Sequence, residues 1–368
     1  MPAEARASLG LAQPYHNPHL AEAVAEAARI RGWNLRLLAF APPPSFRKDN
    51  AWAVPASTTA PRGAIRRCIV CIQWLLACDR YIFLGLGDPF PAQPLLLLLA
   101  CLSGRPVFLA SEGFKHTRAS PGLRAACALL SLFGNAHLLA IGNTAATDFS
   151  RAGLSWPARQ FGFTEEPPGE FVPRSSANCD SPIRLLVVGQ LIPRKRVDWL
   201  MRELGRHPSR ADIELMVCGA GPERGNLESL GYELGLKTRF LGFRRGTELA
   251  EVFNAADVFI HPAAYEGWGV VLNHALYFGL PILAHAPVRS ARGLLVHEGI
   301  NGYVFADGPE FSRHLSQLVG DAALRGRFSC HSRRLYAFWS VAAIARSLAI
   351  VLADSDAAFA RHCPLSNI

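Results

Sequence analysis

The sequence predicts an α/β protein of two doubly wound domains, each a parallel sheet covered on both faces. Three observations lead there. Short apolar runs alternate with amphipathic helical stretches along the chain, the pattern of parallel strands joined by helical crossovers. At 368 residues the chain is too long for one comfortable core and suits two domains. TEEPPGEFVPRSSANCDSP (164–182), rich in Pro, Ser and acids, interrupts the alternation and reads as a linker. The domain limits drawn from this are 1–178 and 179–337. A helical tail, 338–368, is expected to pack back on the first domain.

In the first half, LRLLAF (35–40), RYIFLGLG (80–87), RPVFLAS (105–111) and HLLAIG (137–142) read as strands, and SLGLAQ near the start as a further one. NPHLAEAVAEAARIRG and SPGLRAACALLSLFG have helical spacing; Ser120 suits an N-cap and Pro121 the first helical position. AIRRCIVCIQWLLAC reads as a buried helix. Its Cys68 and Cys71 have redox or zinc spacing, but no second pair follows, so they read as core cysteines. In the second half the strands are IRLLVVG (183–189), IELMVCG (213–219), TRFLGF (238–243), DVFIHP (257–262) and LPILAH (280–285). The helices include VDWLMRELGRH, RGNLESLGYELG and TELAEVFNAA.

Half the residues are apolar and 18% are charged, which excludes a disordered chain. The net charge of +9 favours anionic partners: phosphorylated ligands, nucleic acid or an acidic lipid surface. Nine irregularly spaced cysteines argue against a disulfide framework and for a reducing compartment. The opening MPAEARASLG lacks a secretion-signal layout, and the longest greasy run, PLLLLLACL, is well short of the roughly 20 residues that span a bilayer. The expectation is a cytoplasmic protein, with contact to the inner face of a membrane left open. Arg62, Arg66, Arg67, Arg118 and Arg124, in or beside amphipathic helices, motivate that contact.

Three loops of the second half leave strand ends and enter helices. In GQLIPRKRVD, Arg194 and Lys195 stand just ahead of a helix, whose free N–H groups and partial positive charge favour phosphate. A solvated basic turn explains the same residues. In CGAGPERGNL, Gly219 and Gly221 let backbone approach a ligand, but Gly225 falls outside the dinucleotide pattern. In YEGWGVVLNHALYFGLPIL, Glu266, Gly267, Trp268 and Gly269 lie between a strand and a helix. Glycines there permit tight turning, and Glu266 could accept bonds from two sugar hydroxyls or serve as a helix N-cap.

Together the loops are specific. FNAADVFIHPAAYEGWGVVLNHALYFGLPILA strongly resembles the donor-binding signature of the GT-B retaining glycosyltransferases, family 4. VVGQLIPRKRVD, LMVCGAGPERGNLESLGYELGLKTRFLGF and VHEGINGYVF agree in order and spacing, over about residues 183–306. The resemblance implies a GT-B fold, two Rossmann-like domains facing a central cleft, with a nucleotide-diphosphate sugar held by the second. It implies transfer with retention, no metal and no cofactor, to a glycan or lipid-linked acceptor in bacterial surface polysaccharide synthesis, without nucleic acid.

Carried over residue by residue, Lys195 matches the diphosphate lysine, while Gln190 stands where the family has arginine, leaving Arg194 to compensate. Gly189 begins that loop. Glu266 matches the first acid of the Glu-x7-Glu motif and would contact the donor sugar. His274 replaces the second acid, which commonly holds the ribose. A neutral imidazole has one acceptor nitrogen, so the grip weakens or passes to Asn273. Arg289 is a candidate for restoring charge near the diphosphate. Phe243 and Arg244 lie where such enzymes place the base. Glu112, and after it His116, stand where many relatives carry an acceptor-side histidine. The single Asp-x-Asp, Asp354 and Asp356, reads as helix-surface charge. Gln190 and His274 also keep a second reading open: a non-catalytic partner that retains the fold.

Overall fold

A computed structural model describes residues 7–15, 17–41, 58–59, 63–86, 92–114, 119–173 and 181–353. The expectations for Arg62, His116, Arg118, Asp354 and Asp356 lie outside the described residues. The chain divides into two units, residues 1–165 with 340–368, and residues 166–339.

The first unit runs β1 (Ser8–Tyr15), α1 (Pro18–Arg31), β2 (Asn34–Ala41), β3 (Thr58–Thr59), α2 (Ala64–Leu76), β4 (Arg80–Leu84), α3 (Ala92–Leu102), β5 (Val107–Ser111), α4 (Pro121–Leu130), β6 (Ala136–Ile141), α5 (Ala145–Arg151) and β7 (Ala158–Phe161). All neighbours pair in parallel, in the order β3-β2-β1-β4-β5-β6-β7. The predicted N-cap forms: Ser120 Oγ accepts from Leu123 N at 3.2 Å. Asn17 caps α1 in the same way, and Gly32, at φ 67°, turns the chain out of it. β7 escapes the sequence reading because it is short, and Arg159 and Gln160 break its apolar pattern.

Two expectations fail in α2. AIRRCIVCIQWLLAC is not a buried helix, because Cys71 and Trp74 face the core while Ile65, Ile69, Ile72 and Leu76 face solvent. Cys68 is exposed with them and is no core cysteine. Apolar residues fall on both sides of this helix, so the sequence does not say which side is covered.

The second unit runs β8 (Ile183–Val188), α6 (Val197–Arg206), β9 (Ile213–Cys218), α7 (Arg224–Glu233), β10 (Thr238–Gly242), α8 (Gly246–Ala255), β11 (Val258–His261), α9 (Val271–Tyr277), β12 (Ile282–His285), β13 (Gly302–Phe305), α10 (Gly308–Gly320) and α11 (Ala322–Trp339). Its sheet is again all parallel, in the order β10-β9-β8-β11-β12-β13. That is the dinucleotide-fold order 3-2-1-4-5-6. The five expected strands are β8 to β12. α11 backs α9: Ser332 Oγ donates to Leu280 O at 2.8 Å, and Trp339 packs on Trp268 with ring centroids 5.1 Å apart.

Helix α12 (Val341–Ala353) belongs to the first unit, where it lies along α1 with Ile344, Leu348 and Leu352 buried. Arg80 Nη1 donates to Leu352 O, and its guanidinium covers the Trp33 ring at 4.2 Å. By length and hydropathy 322–353 is the one stretch among the described residues fit to cross a membrane. Its most apolar part, α12, has its apolar side buried in the fold.

Candidate functional site

In the second unit the direction of strand addition reverses between β8 and β11. Crossovers leave those two strands to opposite sides, and the gap at their carboxyl ends is where open parallel sheets bind ligands. Gly189, Gln190, Lys195, His261 and Pro262 line a cleft at that point.

Glu266 is the centre of charge there. Lys195 Nζ and Arg194 Nη1 both donate to its Oε2, the latter at 3.0 Å, and Arg194 Nη1 also donates to Tyr265 O at 2.6 Å. The Glu266 and Lys195 side chains are only 16% and 14% exposed. Burial by itself would raise the carboxyl pKa. His261 and the Lys195 ammonium outweigh it and hold the carboxyl well below the usual carboxylate range, so Glu266 is ionised at neutral pH. His261 Nε2 stands 3.7 Å from the same oxygen, too far for a full hydrogen bond, and is buried without another partner. Burial pushes the imidazole pKa down, and Lys195 and Arg194 push the same way against the pull of Glu266.

Backbone bonds lock these side chains in place. Ala264 N donates to Arg194 O at 2.9 Å, tying the β8 loop to the β11 loop. Arg289 N donates to Glu266 O at 3.0 Å, tying in the β12 loop. The turn Pro193–Lys195 ends at Arg196, the one non-glycine with positive φ (54°) among the described residues. Its guanidinium lies 4.5 Å from the Trp199 ring centroid and 3.1 Å from His285 Nε2. His285 Nδ1 is 2.9 Å from Ala263 O, which assigns the proton to Nδ1 and leaves Nε2 as acceptor.

The glycines divide by role. A Cβ on Gly219 would meet Gly189 O at 1.8 Å, and one on Gly221 would meet Leu191 O at 2.3 Å. These two let the β9 loop pack against the β8 loop, backbone against backbone. Gly269, at φ 80°, does serve the charged centre: a Cβ would lie 3.1 Å from Glu266 Cγ and 3.4 Å from His261 Nε2.

Other expected residues turn away. Asn273 is fully buried, and its Oδ1 accepts from Trp268 Nε1 at 2.9 Å, so it is not the free neighbour that would take over a ribose. Trp268 is buried against Trp339, and its carbonyl accepts from Ser290 Oγ, which leaves it no surface for a donor. The cause is α11, which covers this side of α9. His274 is buried too, its ring edge-on to Phe253 at 5.8 Å. Arg289 lies over the Tyr265 ring at 5.2 Å, beside the Glu266 loop. Gln190 is exposed at the cleft. Phe243 is half exposed just past β10, and Arg244 Nε donates to Leu241 O at 2.9 Å. Glu112 belongs to the first unit, one residue past β5. Among the described residues no three His, Cys, Asp or Glu come together as an ion site. His261, Arg196 and His285 went unnoticed in the sequence. The available signal was a histidine ending a buried strand, in DVFIHP and again in LPILAH.

Comparison with known proteins bears on the family likeness and the fold. Residues 170–334 match the family model described as glycosyl transferases group 1. The chain is 32% identical over 140 residues to an uncharacterized glycosyltransferase of Methanocaldococcus jannaschii, MJ1607 (37% of this chain, 35% of that one). It is 30% identical over 169 residues to the lipopolysaccharide core biosynthesis glycosyltransferase LpsE of Rhizobium meliloti (44% and 47%). The chain thus spans about a third to a half of the length of these curated relatives. In structure it is similar to Alr3699/HepE of Anabaena, solved in complex with UDP, with a TM-score of 0.71 at 17% identity over 93% of this chain and 98% of that one. The sequence match falls in the second unit and the structural match runs through both, so residues 170–334 are similar to the glycosyl transferases group 1 domain, in a chain of GT-B fold.

Proposed function

We propose that this protein is a retaining, metal-independent glycosyltransferase that takes its sugar from a nucleotide-diphosphate donor. The observation that carries the reading is the ion cluster at the switch point of the second sheet, in which largely buried Glu266 and Lys195 meet the more exposed Arg194. A buried carboxylate gripped by two cations suits a neutral, hydroxyl-rich group bound next to a diphosphate. The donor would exchange partners with it. Its diphosphate draws Lys195 and Arg194, and Glu266, relieved of them, accepts from sugar hydroxyls. As the bond from the anomeric carbon to the diphosphate oxygen breaks, the two cations offset the charge on the leaving oxygen. The acceptor hydroxyl joins the anomeric carbon on the same face, and its proton passes to the departing phosphate.

Glu112 is the acceptor-side candidate. The acceptor is a glycan or lipid-linked sugar of bacterial surface polysaccharide synthesis, met at the cytoplasmic face of a membrane. No cofactor and no nucleic acid enter the reaction. A non-catalytic partner that keeps the fold is the second reading, and buried His274 and Asn273 favour it, since neither is placed to accept from a ribose.

The test is thermal denaturation of the purified protein against UDP, GDP, ADP and CMP sugars, followed by donor hydrolysis. UDP leads the panel because the Anabaena neighbour was solved with it. Stabilisation by one nucleotide class is expected, about 2.7 kcal/mol at a hundredfold excess over Kd. Glu266→Gln and Lys195→Met should each lower turnover at least a hundredfold. No nucleotide-dependent stabilisation, or two active variants, would remove this site.

A further inference from the structure

We infer that the outer face of α2 and α3 in the first unit is a docking surface for an anionic lipid bilayer. Ile65, Ile69, Ile72 and Leu76 recur at helical spacing along α2 and face solvent, Ile65 at 78% and Leu76 at 70% exposure. Leu95, Leu99 and Leu102 do the same along α3, Leu102 at 62%. The crossovers β3-α2-β4, β4-α3-β5 and β5-α4-β6 all advance in one direction along the sheet, which sets α2, α3 and α4 on one face of it. A shared core confirms this, since Cys71 and Trp74, Leu96 and Leu97, and Cys127 and Leu130 join one cluster beneath them. The two apolar stripes therefore run over neighbouring helices on the side away from the sheet. Scattered single apolar residues are ordinary on a surface; two aligned stripes are not.

Charge selects the occupant. None of the three helices contains an acidic residue, and they carry Arg66, Arg67 and Arg124, with Arg66 and Arg124 exposed. Apolar side chains flanked by arginines, with no carboxylate to repel phosphate, complement a bilayer of anionic headgroups: stripes into the acyl boundary, arginines at the phosphates. Nucleic acid would match the charge and leave the stripes in water. A docking role in catalysis rests on the proposed transferase reading; the contact itself does not.

The experiment is co-sedimentation of the full chain with vesicles of phosphatidylcholine alone or mixed with phosphatidylglycerol, at low and physiological salt. Binding to the anionic vesicles, weakened by salt, is expected. Ile69→Ser/Leu99→Ser should reduce it about tenfold or more. Arg66→Gln/Arg124→Gln should reduce it about fivefold per arginine and flatten the salt dependence. Both variants should keep the wild-type melting temperature and nucleotide-induced shift, so a failure of docking is separable from a failure of the donor site. The inference is overturned if the wild type ignores anionic vesicles, if both variants bind as it does, or if light scattering shows a dimer that Ile69→Ser/Leu99→Ser dissolves.

Discussion

Arg196 shows what one residue can be held to do. Its left-handed backbone costs about 1–2 kcal/mol relative to an ordinary conformation, and only glycine adopts it freely. The side chain offsets that cost by stacking on Trp199 and donating to His285, which anchors the turn bearing Arg194 and Lys195 to β12. Two substitutions separate the terms. Arg196→Ala keeps the strain and loses the contacts, and is expected to destabilise by about 2 kcal/mol. Arg196→Gly loses the contacts and the strain together, and should cost about 1 kcal/mol less than Arg196→Ala in urea unfolding. Equal costs would mean that the backbone at this position is not strained.

At the scale of elements, the site is a product of loops packed on loops. Gly219 N donates to Gly242 O at 2.8 Å and Leu191 N to Ala220 O at 2.9 Å, so the turns after β8, β9 and β10 form a layer above the strand ends. Gly221 is the tightest joint of that layer after Gly219. Gly221→Ala should destabilise by about 3 kcal/mol, because its methyl would fall on the carbonyl of Leu191 and rigid backbone must move. Gly225, four residues on in α7, would place a Cβ with nothing within 4 Å of it, so Gly225→Ala should stabilise by roughly 0.5 kcal/mol. Chemical denaturation of the pair reads the contrast in sign directly.

Across the whole molecule, stability should fall in acid in two steps. Burial lowers the pKa of His207, His261 and His285 below the ordinary 6.5. The folded state therefore binds fewer protons than the unfolded chain, so their contribution is complete above pH 6.5 and shrinks as pH falls below it. Glu266 acts lower. Its folded pKa lies below the ordinary 4.5, so its contribution is complete above pH 4.5 and is lost as the solution is acidified further. Thermal melts from pH 8 to pH 3 should show a decline that begins below about pH 6.5. Glu266→Gln should change the slope below pH 4.5 and leave the part of the upper limb due to His207 and His285 intact. An upper limb altered by Glu266→Gln as much as by His285→Gln would contradict this assignment.

The sequence by itself determined the alternation of strands and helices, the cap at Ser120 and the three loops of the second unit. Each of these is written in local spacing: period two or short apolar runs for strands, a 3.6-residue period for helices, Ser-Pro or Gly at their ends. The edge strand β7 was lost because its pattern is too short and too polar to stand out. Only the tertiary structure decided the rest. Lys195 and Glu266 are 71 residues apart in the chain, and it is the order of β8 beside β11 that brings them into contact. Asn273 and Trp268 turn inward because α11 covers that side of α9, a packing that no spacing within YEGWGVVLNHALYFGLPIL records. The greasy helix α2 leaves one side in water because the sheet offers only one surface to cover it. Local pattern encodes which residues leave water readily; the topology decides which surfaces exist to receive them.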